Sequence, residues 1–404
     1  MITFMDNSDK NQLEQSIDEL KEDLAYEKIK KYNAVALGCN NDGSNDCTEI
    51  IQNILNKNGN CIIYFPIGTY NFCRPLYVRK DQSCQIVGET FPNDIFYINA
   101  SGIPVAKNGT VLWFNSNTTN ITFINVQEGC VSFRLKEICL YSTNGVFECD
   151  SDVNDRPYEP YNPYRYISSV SGQNGLSVID CTKVEVDRCA IIGFTSYGLR
   201  LYLTNVVRDT YIRYCSIGIE LASHDVNLYD VYITQCKNGI RASNGHTVFA
   251  YNLWIDKCVE YGIYSFSKLN GIINGLIDHC GYSGIRLDES DSLRLDLRIG
   301  RCGMYYADSV DGLDYSELSK SAYIRIGTCK NGEFILSLHS RSIGDNELTN
   351  YTLPKIVLAG ITWNNVCVYG LNNDSDYDIF SNTFLSGTNI TCYTARGIIS
   401  KVIN

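Results

Sequence analysis

The sequence predicts an all-β protein folded as a parallel β-helix, a solenoid with about 22 residues in each coil. The pattern Ile-x-x-Cys followed by Gly-Ile recurs at residues 233–242, 255–265 and 277–287. Cysteines recur with nearly the same period, separated by 26, 21, 22, 22, 22 and 27 residues, at Cys189, Cys215, Cys236, Cys258, Cys280, Cys302 and Cys329. A fixed period of this length indicates that equivalent residues stack along one axis.

Short strands are predicted in each coil, because apolar and polar residues alternate in "NLYDVYITQC" and "SLRLDLRIGRC" with no helical period between them. A leucine-rich repeat would show L-x-x-L-x-L-x-x-N, which this sequence lacks. With coils ~4.8 Å apart, Ile and Cys should point inward and stack on their copies. We expect the Cys column to act as small buried hydrophobic residues rather than as disulfides, reactive thiols or metal ligands. The glycine that follows is expected to turn the corner.

Composition excludes several classes of partner. The 404-residue chain is 44% hydrophobic and has a formal net charge of −11, which argues against nucleic acid. No apolar run approaches the ~20 residues of a membrane span, and "MITFMDNSDKNQLEQ" lacks the apolar core of a signal peptide. We therefore expect synthesis in a cytoplasm without the usual export signal. The 18 cysteines lack C-x-x-C spacing, and no metal or cofactor is predicted.

The chain divides into three regions. Residues 1–33 are predicted to be an N-terminal helical attachment segment, because apolar residues recur at helical spacing between residues 8 and 31. That helix could seed a dimeric or trimeric coiled coil, or lie against its own chain. Residues 34–330 are assigned to the β-helix, with a surface loop at 150–168. Residues 331–404 are predicted to form a β-rich cap and trimerisation region over the open end.

A second signature occupies residues 34–90. It comprises a Gly/Asp cluster, a Gln in a helix and the stretch Tyr-Phe-Pro-x-Gly-x-Tyr, at Gly38, Asp42, Gly43, Asp46, Thr48, Gln52, Tyr64, Phe65, Pro66, Gly68, Tyr70, Val87 and Gly88. These residues resemble the N-terminal signature of the pectate-lyase-like superfamily, in particular its branch in bacteriophage tailspikes and capsule depolymerases. Cys39 and Cys47 replace the usual Ala and second Asp. The resemblance implies a right-handed β-helix started by a capping helix, with a polysaccharide as substrate class, but it carries over no catalytic residue.

Candidate site residues lie at positions minus 2, minus 4 and minus 6 from each cysteine, which alternation predicts to face outward. A glycoside hydrolase needs two carboxylates, ~5–5.5 Å apart for retention or ~6.5–9.5 Å for inversion. The candidate catalytic residues are Glu185, Asp187, Asp209 and Asp230. The candidate substrate-binding residues are Tyr211, Arg213, Tyr232, Trp254, Asn252 and Asp256, because rings cover sugar faces and polar groups bond hydroxyls. A solvated acidic surface would explain the same columns without catalysis.

A second polar cluster follows the Gly-Ile strands, at His224, Asp225, His246, Lys268, Asp288, Glu289 and Asp291. A polysaccharide lyase would need a base of this kind beside a group that neutralises charge. A solvated turn is the simpler interpretation. The calcium motif of pectate lyases and the catalytic motifs of polygalacturonases are not found in the sequence.

The resemblance to tailspikes, taken with these observations, implies a homotrimeric component of a phage virion that binds a bacterial surface polysaccharide and cleaves it, by hydrolysis rather than by elimination. The N-terminal segment would contact other virion tail proteins. The alternatives are a non-enzymatic receptor-binding or structural tail protein, a polysaccharide lyase, and a pectinase-like cellular enzyme. Fold-level likeness is a weak guide to reaction type, because one fold hosts many chemistries.

Overall fold

The computed structural model describes residues 29–57, 59–90, 97–99, 102–105, 108–149, 164–203, 205–223, 225–300, 302 and 324–339, together with six short strands between residues 356 and 403. Parallel strands stacked coil upon coil make up most of this part of the chain. The predicted parallel β-helix is thus confirmed. No helix in the described ranges is long and apolar enough to cross a membrane.

The helix Thr48–Lys57 packs on the first coils and buries Ile51 and Leu55. Asp46 caps its N-terminus by accepting a 2.9 Å hydrogen bond from the Thr48 amide. The Glu49 carboxylate, in the first turn, pairs with Arg74 at 3.2 Å. The Gln52 side chain docks the helix on a strand by bonding both the N–H and the C=O of Tyr77, at 2.8 and 3.1 Å.

The β-helix begins earlier than predicted. The strand Lys30–Asn33 pairs in parallel with the strand Asn60–Phe65, so residues 30 and 31 are not helical and the first coil starts before residue 34. The rest of the predicted N-terminal helix, residues 8–28, lies outside the described residues. The remaining strands before the regular coils are Asp42–Asp46, Gly68–Phe72, Leu76–Val78, Ser83–Gly88, Tyr97–Ile98, Pro104–Val105, Thr110–Phe114, Ile121–Val126, Ser132–Lys136 and Ile138–Tyr141.

Three sheets run along the regular coils, and we name them faces A, B and C. Face A contains residues 183–187, 205–208, 226–229, 248–251, 271–273 and 293–295. Face B contains residues 190–192, 211–213, 231–234, 253–256, 275–278 and 297–300. Face C contains residues 197–201, 217–221, 238–242, 261–265, 283–287 and 324–326. The chain passes from face C to face A to face B within each coil.

The strands that build these faces bend at the corners, so one strand often spans two or three faces. Their bounds are Gln173–Val178, Lys183–Asp187, Ala190–Ile192, Tyr197–Leu201, Asn205–Arg213, Ile217–Leu221, Val226–Thr234, Asn238–Ala242, His246–Asp256, Tyr261–Asp278, Ser283–Gly300, Ile324–Lys330 and Glu333–His339. Inward positions along them are almost uniformly buried Ile, Leu, Val and Cys. The core is therefore a continuous column of apolar ladders.

The cysteine column is buried and free of disulfides, as predicted. Cys215, Cys236, Cys258 and Cys280 are each fully buried. The thiols of Cys215, Cys236 and Cys280 each point to the carbonyl two residues earlier, and the Cys236 Sγ lies 3.4 Å from the oxygen of Thr234. Burial raises the pKa of the Cys280 and Cys302 thiols, so their sulfur atoms remain protonated at neutral pH. Cys329 was predicted to belong to this column but does not, because it is the register partner of Ser290. These residues are packing elements rather than reactive groups.

The glycine of each Gly-Ile pair lies within a strand, so the prediction that it turns the corner is wrong. A Cβ atom at Gly239 would lie 2.5 Å from the carbonyl oxygen of Gly262 and 3.4 Å from the Sγ of Cys258. The coils approach so closely here that no side chain fits. The corner is turned instead by the residue before each cysteine, which adopts a positive φ at Tyr214, Gln235, Lys257 and His279.

The surface loop predicted at 150–168 contains a strand. Tyr164–Ser168 pairs antiparallel with Gly145–Cys149 in a separate two-stranded sheet, which packs against the solenoid through the stacked rings of Phe147 and Tyr214. Residues 150–163 lie outside the described residues. The prediction missed the strand because it is only five residues long and directly follows a stretch that contains Pro157, Pro160 and Pro163.

The coils also continue beyond residue 330, where the sequence predicts a cap without the repeat. The C-terminal strands pair in parallel with those before them, as Ile324–Lys330 does with Ile356–Leu358. The others are Trp363–Asn364, Val366–Gly370, Ile379–Ser381, Ile390–Thr394 and Val402–Ile403. Irregular spacing and the loss of the cysteine marker hide these coils in the sequence.

Candidate functional site

Face B presents a column of aromatic rings to the solvent. Tyr211, Tyr232 and Trp254 occupy equivalent positions in three successive coils. The ring centroids of Tyr211 and Tyr232 are 5.2 Å apart, and those of Tyr232 and Trp254 are 4.8 Å apart. Trp254 exposes 48% of its surface. Tyr211 is more buried, and this burial raises the pKa of its hydroxyl group to about 12. The predicted stacking of these three rings on one outward face is therefore confirmed.

A polar column runs beside the rings, two positions further along each strand. It contains Arg213, Thr234, Asp256 and Asp278. Arg213 and Asp256 thus share the face of the aromatic column, as the sequence predicts. Arg213 also packs its guanidinium 4.2 Å from the ring centroid of Tyr214. The two columns together make an amphipathic strip of the kind that binds sugar rings and hydroxyls.

Three titratable groups converge at the end of this strip. The Nδ1 atom of His279 lies 3.1 Å from the Oδ1 atom of Asp256 and 3.3 Å from the Oδ2 atom of Asp278. One ligand-type atom from each of the three residues lies within 4.8 Å of the other two. The side chains of Asp256 and Asp278 are mostly buried, at 12% and 14% exposure, and Asp256 also lies 3.9 Å from the ammonium of Lys257.

The fold explains why these three groups meet. Asp256 and Asp278 are register partners on neighbouring strands, so their side chains point the same way one coil apart. His279 follows Asp278 at the corner, where its φ of 51° turns the imidazole back toward the coil below. The cluster could share a proton or hold a cation. Asp256 is among the binding residues predicted from the sequence, whereas Asp278 and His279 are not.

Glu185 and Asp187 do not join this site. The prediction aligned the coils on their cysteines and so placed Cys189 level with Cys215. In the structure Glu185 pairs with Val206 and Asp187 with Arg208, an offset of 21 residues. Both carboxylates therefore lie on face A. They face outward as predicted, since Val184 and Val186 are the positions buried in the core, but they do not share the row of Tyr211 and Arg213. The signal was present in the spacing of 26 residues before Cys215, which exceeds a coil by five.

These two carboxylates are held in an ion-pair network. Glu185 contacts the Nε of Arg134 at 3.1 Å and the Arg208 guanidinium of the next coil. Asp187 lies 3.5 Å from Arg134 and 3.9 Å from Arg208. Two arginines thus balance two carboxylates between three coils. The arrangement has a structural role, and a catalytic role for Glu185 and Asp187 stays a prediction.

Asp209, Asp230 and Asn252 form the corner between faces A and B. Each has a positive φ, between 46° and 54°, a conformation that Asp and Asn tolerate better than most residues. The Asn252 amide donates to Asp230 at 2.6 Å, which links the corners of two coils. Corner geometry accounts for this column, and a catalytic role for Asp209 and Asp230 stays a prediction.

The second polar cluster predicted from the sequence is divided among different contacts. The His246 Nε2 accepts a hydrogen bond from the Asn244 amide at 2.9 Å, and its Nδ1 lies 2.6 Å from the Ser223 carbonyl oxygen. Both ring nitrogens thus face the backbone. Lys268 pairs with Asp291 at 2.7 Å. His224 lies outside the described residues. His246, Lys268 and Asp291 lie within strands, and these contacts join neighbouring coils where the chain passes from face C to face A.

Face C carries a column of charged side chains that the sequence analysis missed. Its register partners, coil after coil, are Arg200, Glu220, Arg241, Tyr264, Arg286 and Arg325. Glu220 is almost fully buried and pairs with the Arg241 Nε at 2.5 Å, and the Arg241 guanidinium also donates to the Tyr197 hydroxyl at 2.8 Å. The signal was the residue after each Gly-Ile or Gly-Leu pair, which counting backward from cysteine does not reach.

The fold places the chain among the pectate-lyase-like β-helix proteins. The model of the family Rhamnogalacturonase A/epimerase, pectate lyase-like, matches residues 32–264, more than half of the chain. The chain belongs to this family, which confirms the resemblance drawn from residues 34–90. A comparison of the sequence with curated proteins found no match.

Solved structures share the fold at low sequence identity. A DFA-IIIase from Arthrobacter chlorophenolicus A6, in complex with GF2, superposes with a TM-score of 0.58 at 14% identity, covering 93% of this chain and 98% of that one. Tailspike protein 2 of the Escherichia coli O157:H7 bacteriophage CAB120 gives 0.54 at 14% identity, over 84% of this chain and 42% of that one. The enzymatically active domain of the bacteriophage CBA120 tailspike protein 2 gives 0.52 at 12% identity, over 87% and 47%. The chain thus spans less than half of the tailspike chains.

Proposed function

We propose that this protein binds a polysaccharide along face B and cleaves its glycosidic bonds with Asp256 and Asp278 as the catalytic carboxyl groups. The observation that carries the proposal is the convergence of two carboxylates and an imidazole beside the exposed ring of Trp254. Aromatic rings supply the apolar contact that a sugar ring needs, and paired carboxylates supply acid and base. The likeness of the fold to a DFA-IIIase and to tailspikes supports an activity on carbohydrates.

The proposed chemistry is hydrolysis. One carboxyl group of the pair donates a proton to the glycosidic oxygen, and the other acts on the anomeric carbon or on a water molecule. One carboxylate oxygen of Asp256 lies within 4.8 Å of one carboxylate oxygen of Asp278. This separation is closer to the ~5–5.5 Å of retaining enzymes than to the ~6.5–9.5 Å of inverting ones. His279 contacts both carboxylates and is placed to keep a proton in the pair.

The proposed setting is the tail of a phage virion, where the protein would act as a homotrimer on a surface polysaccharide of the host bacterium. The tailspike likeness supports this setting. Sedimentation equilibrium measures the assembly directly. We expect three times the mass of one chain, and a monomer would contradict the tailspike assignment.

The test of activity is a digest of bacterial capsules, O-antigens and pectin. We expect new reducing ends from at least one polysaccharide, without the ultraviolet absorbance of unsaturated uronides. Absorbance would identify a lyase instead. A polysaccharide that binds and stays intact would overturn cleavage in favour of a non-enzymatic receptor-binding protein.

Variants assign the activity to residues. D278N should abolish cleavage while binding of the same polysaccharide persists. E185Q is the matched control, because it also neutralises one partly buried carboxylate, on face A. Equal loss of activity in both variants would point to a general effect on folding, and loss in E185Q alone would restore the catalytic role predicted from the sequence.

A further inference from the structure

The outward side of face B is buried at its N-terminal end. Its sheet continues toward the N-terminus through residues 138–141 and 110–114, and the aromatic column continues with it. The register partners that precede Tyr211 in this column are, coil by coil, Ala190, Cys139 and Val111. Their exposed fractions are 3%, 0% and 0%, whereas Tyr211 and Tyr232 are half-buried and Trp254 is 48% exposed. The column therefore emerges from beneath a cover at Tyr211.

The covered side chains form an apolar cluster outside the solenoid core. Its members are Val111, Trp113, Cys139, Ala190 and Ile192. Ile103 and Tyr214 pack against this cluster. Apolar side chains that face outward on a solenoid would lie in water if nothing covered them, so their burial holds the cover in place.

The separate two-stranded sheet closes the cover at Tyr214. Phe147 stacks on Tyr214 with the ring centroids 6.3 Å apart and 19° between the ring planes. The Tyr166 hydroxyl donates to the Phe194 carbonyl oxygen at 2.9 Å. A Cβ atom at Gly145 would lie 2.6 Å from the carbonyl oxygen of Tyr214, so the two-stranded sheet lies in direct contact with the solenoid. We name Phe147 and Tyr214 the end wall.

The end wall stands in the coil of Tyr211, two coils before Asp256, because Tyr232 and Trp254 are the next register partners in the column. At ~4.8 Å per coil, ~10 Å along the axis separate the wall from Asp256. Tyr232 and Trp254 line that interval and offer a platform to about two sugar residues. Beyond the carboxylate pair the same column reaches solvent at Arg298, which is exposed.

We propose that the end wall closes one end of the groove on face B, so that the protein cleaves a polysaccharide from a chain terminus and releases fragments of about two sugar residues. This inference rests on the proposed cleavage by Asp256 and Asp278 and adds its mode of action. The terminal sugar residue abuts Phe147 and Tyr214, and the rest of the chain leaves over the C-terminal coils. A groove open at both ends would instead admit internal segments and yield fragments of mixed length.

A digest at low conversion tests the mode of action without any variant. We expect the wild-type protein to release one short product while the remaining polymer keeps its length, as size-exclusion chromatography measures. Fragments of mixed length from the first turnovers, with an early fall in viscosity, would overturn the inference and leave the proposed hydrolysis intact.

Binding tests the closed end independently of cleavage. The D278N protein is mixed with equal masses of the polymer before and after sonication, which multiplies the chain ends without changing the sugar. We expect the amount of bound protein to rise in proportion to the number of ends, and an unchanged amount would overturn the inference. End-dependent binding without cleavage by the wild-type protein would support the closed end while refuting the proposed hydrolysis.

Variants assign the closed end to the end wall. F147A/Y214A removes both rings, and we expect the share of products longer than the wild-type product to rise roughly tenfold, because further sugar residues gain room. The matched control is V146A/I167A, since these register partners lie on the opposite side of the same two-stranded sheet and are 45% and 44% exposed. An unchanged product in F147A/Y214A, or the same change in the control, would overturn the assignment. Thermal melts verify that both variants fold, and the wild-type digest decides if one does not.

Discussion

Two pairs of carboxylates on this solenoid have nearly the same chemistry and opposite surroundings. Glu185 and Asp187, on face A, are each within 4.0 Å of two arginines from neighbouring coils. Asp256 and Asp278, on face B, share a histidine and lie beside an exposed aromatic column. Two arginines balance the first pair. The second pair is contacted by His279, and Asp256 also lies 3.9 Å from the Lys257 ammonium, with the exposed ring of Trp254 two residues earlier on the same strand.

The difference shows why residue type alone is a poor guide to a site on a β-helix. Outward positions repeat in every coil, so a column of acids arises for corners and ion pairs as easily as for chemistry. The neighbouring column decides the role: arginines lock a carboxylate in place, and a free ring beside a carboxylate admits a sugar. The predictions below test this contrast.

The largest expected effect is on turnover. We expect D256N and D278N each to lower cleavage by about 10²- to 10⁴-fold, the range for loss of a general acid or base. Stability should change by about 1 kcal/mol or less, because Asn keeps a similar shape and can still accept a hydrogen bond. Initial rates and urea unfolding measure the two quantities. Full activity in either variant would remove the pair from the mechanism.

The converse result is expected on face A. E185Q removes a charged partner from Arg134 and Arg208, whose side chains are 35% and 46% exposed. We expect a loss of about 1–2 kcal/mol in the free energy of unfolding, reduced from the value for a buried pair by solvent screening. Cleavage should remain within about twofold of wild type. Urea unfolding without any destabilisation would show that the network is not structural.

A smaller effect is expected from the rings. W254A should weaken polysaccharide binding roughly tenfold, because an aromatic contact of this kind contributes about 1–1.5 kcal/mol. Y251A is the matched control, since Tyr251 is 40% exposed and stacks on Tyr229, with centroids 5.7 Å apart, on face A. Affinity electrophoresis of both variants compares the faces. Equal weakening would mean that the ligand crosses the corner between them.

The smallest effect concerns a carboxylate with a known structural task. Burial would raise the pKa of Asp46, but hydrogen bonds from Thr48 and Cys73 and the charge of Arg74 hold it below its usual range. Because the folded pKa is the lower one, the stabilisation is complete above the unfolded value of about 3.9 and is lost as pH falls through the folded pKa. D46A should cost about 1 kcal/mol at pH 7.

D46N separates the cap from the charge. It retains an acceptor for the Thr48 amide, so its unfolding free energy at pH 7 should lie between those of D46A and wild type. The advantage of wild type over D46N should shrink in acid, as urea unfolding between pH 7 and pH 2 would measure. An advantage that stays constant over this range would contradict the role of the ionised carboxylate.

The period of the sequence predicted the fold because inward positions of a solenoid must repeat. Ile255 and Cys258 could be assigned to the core for that reason, and so could the outward direction of Tyr232 and Trp254. Counting from cysteine failed in the coil of Cys189, because Cys189 lies at the corner between faces A and B, whereas Cys215 lies at the corner between faces B and C. It also could not reach face C, whose arginine column follows the glycine instead.

The candidate site was only half visible for a similar reason. Asp256 appears in an outward column, but its partnership with His279 depends on the left-handed corner that turns the imidazole back. No local pattern marks that conformation, because Tyr214, Gln235 and Lys257 adopt it too. The convergence of three groups is a property of the stacked coils and not of any one repeat.

The most direct test of the account is a crystal structure of the D278N protein with an uncleaved oligosaccharide of the polymer identified by the digest. We expect a sugar ring packed on Trp254 and Tyr232, with a glycosidic oxygen within hydrogen-bond distance of residue 278 or of Asp256. An oligosaccharide bound on face A against Glu185 and Asp187, with face B empty, would contradict it.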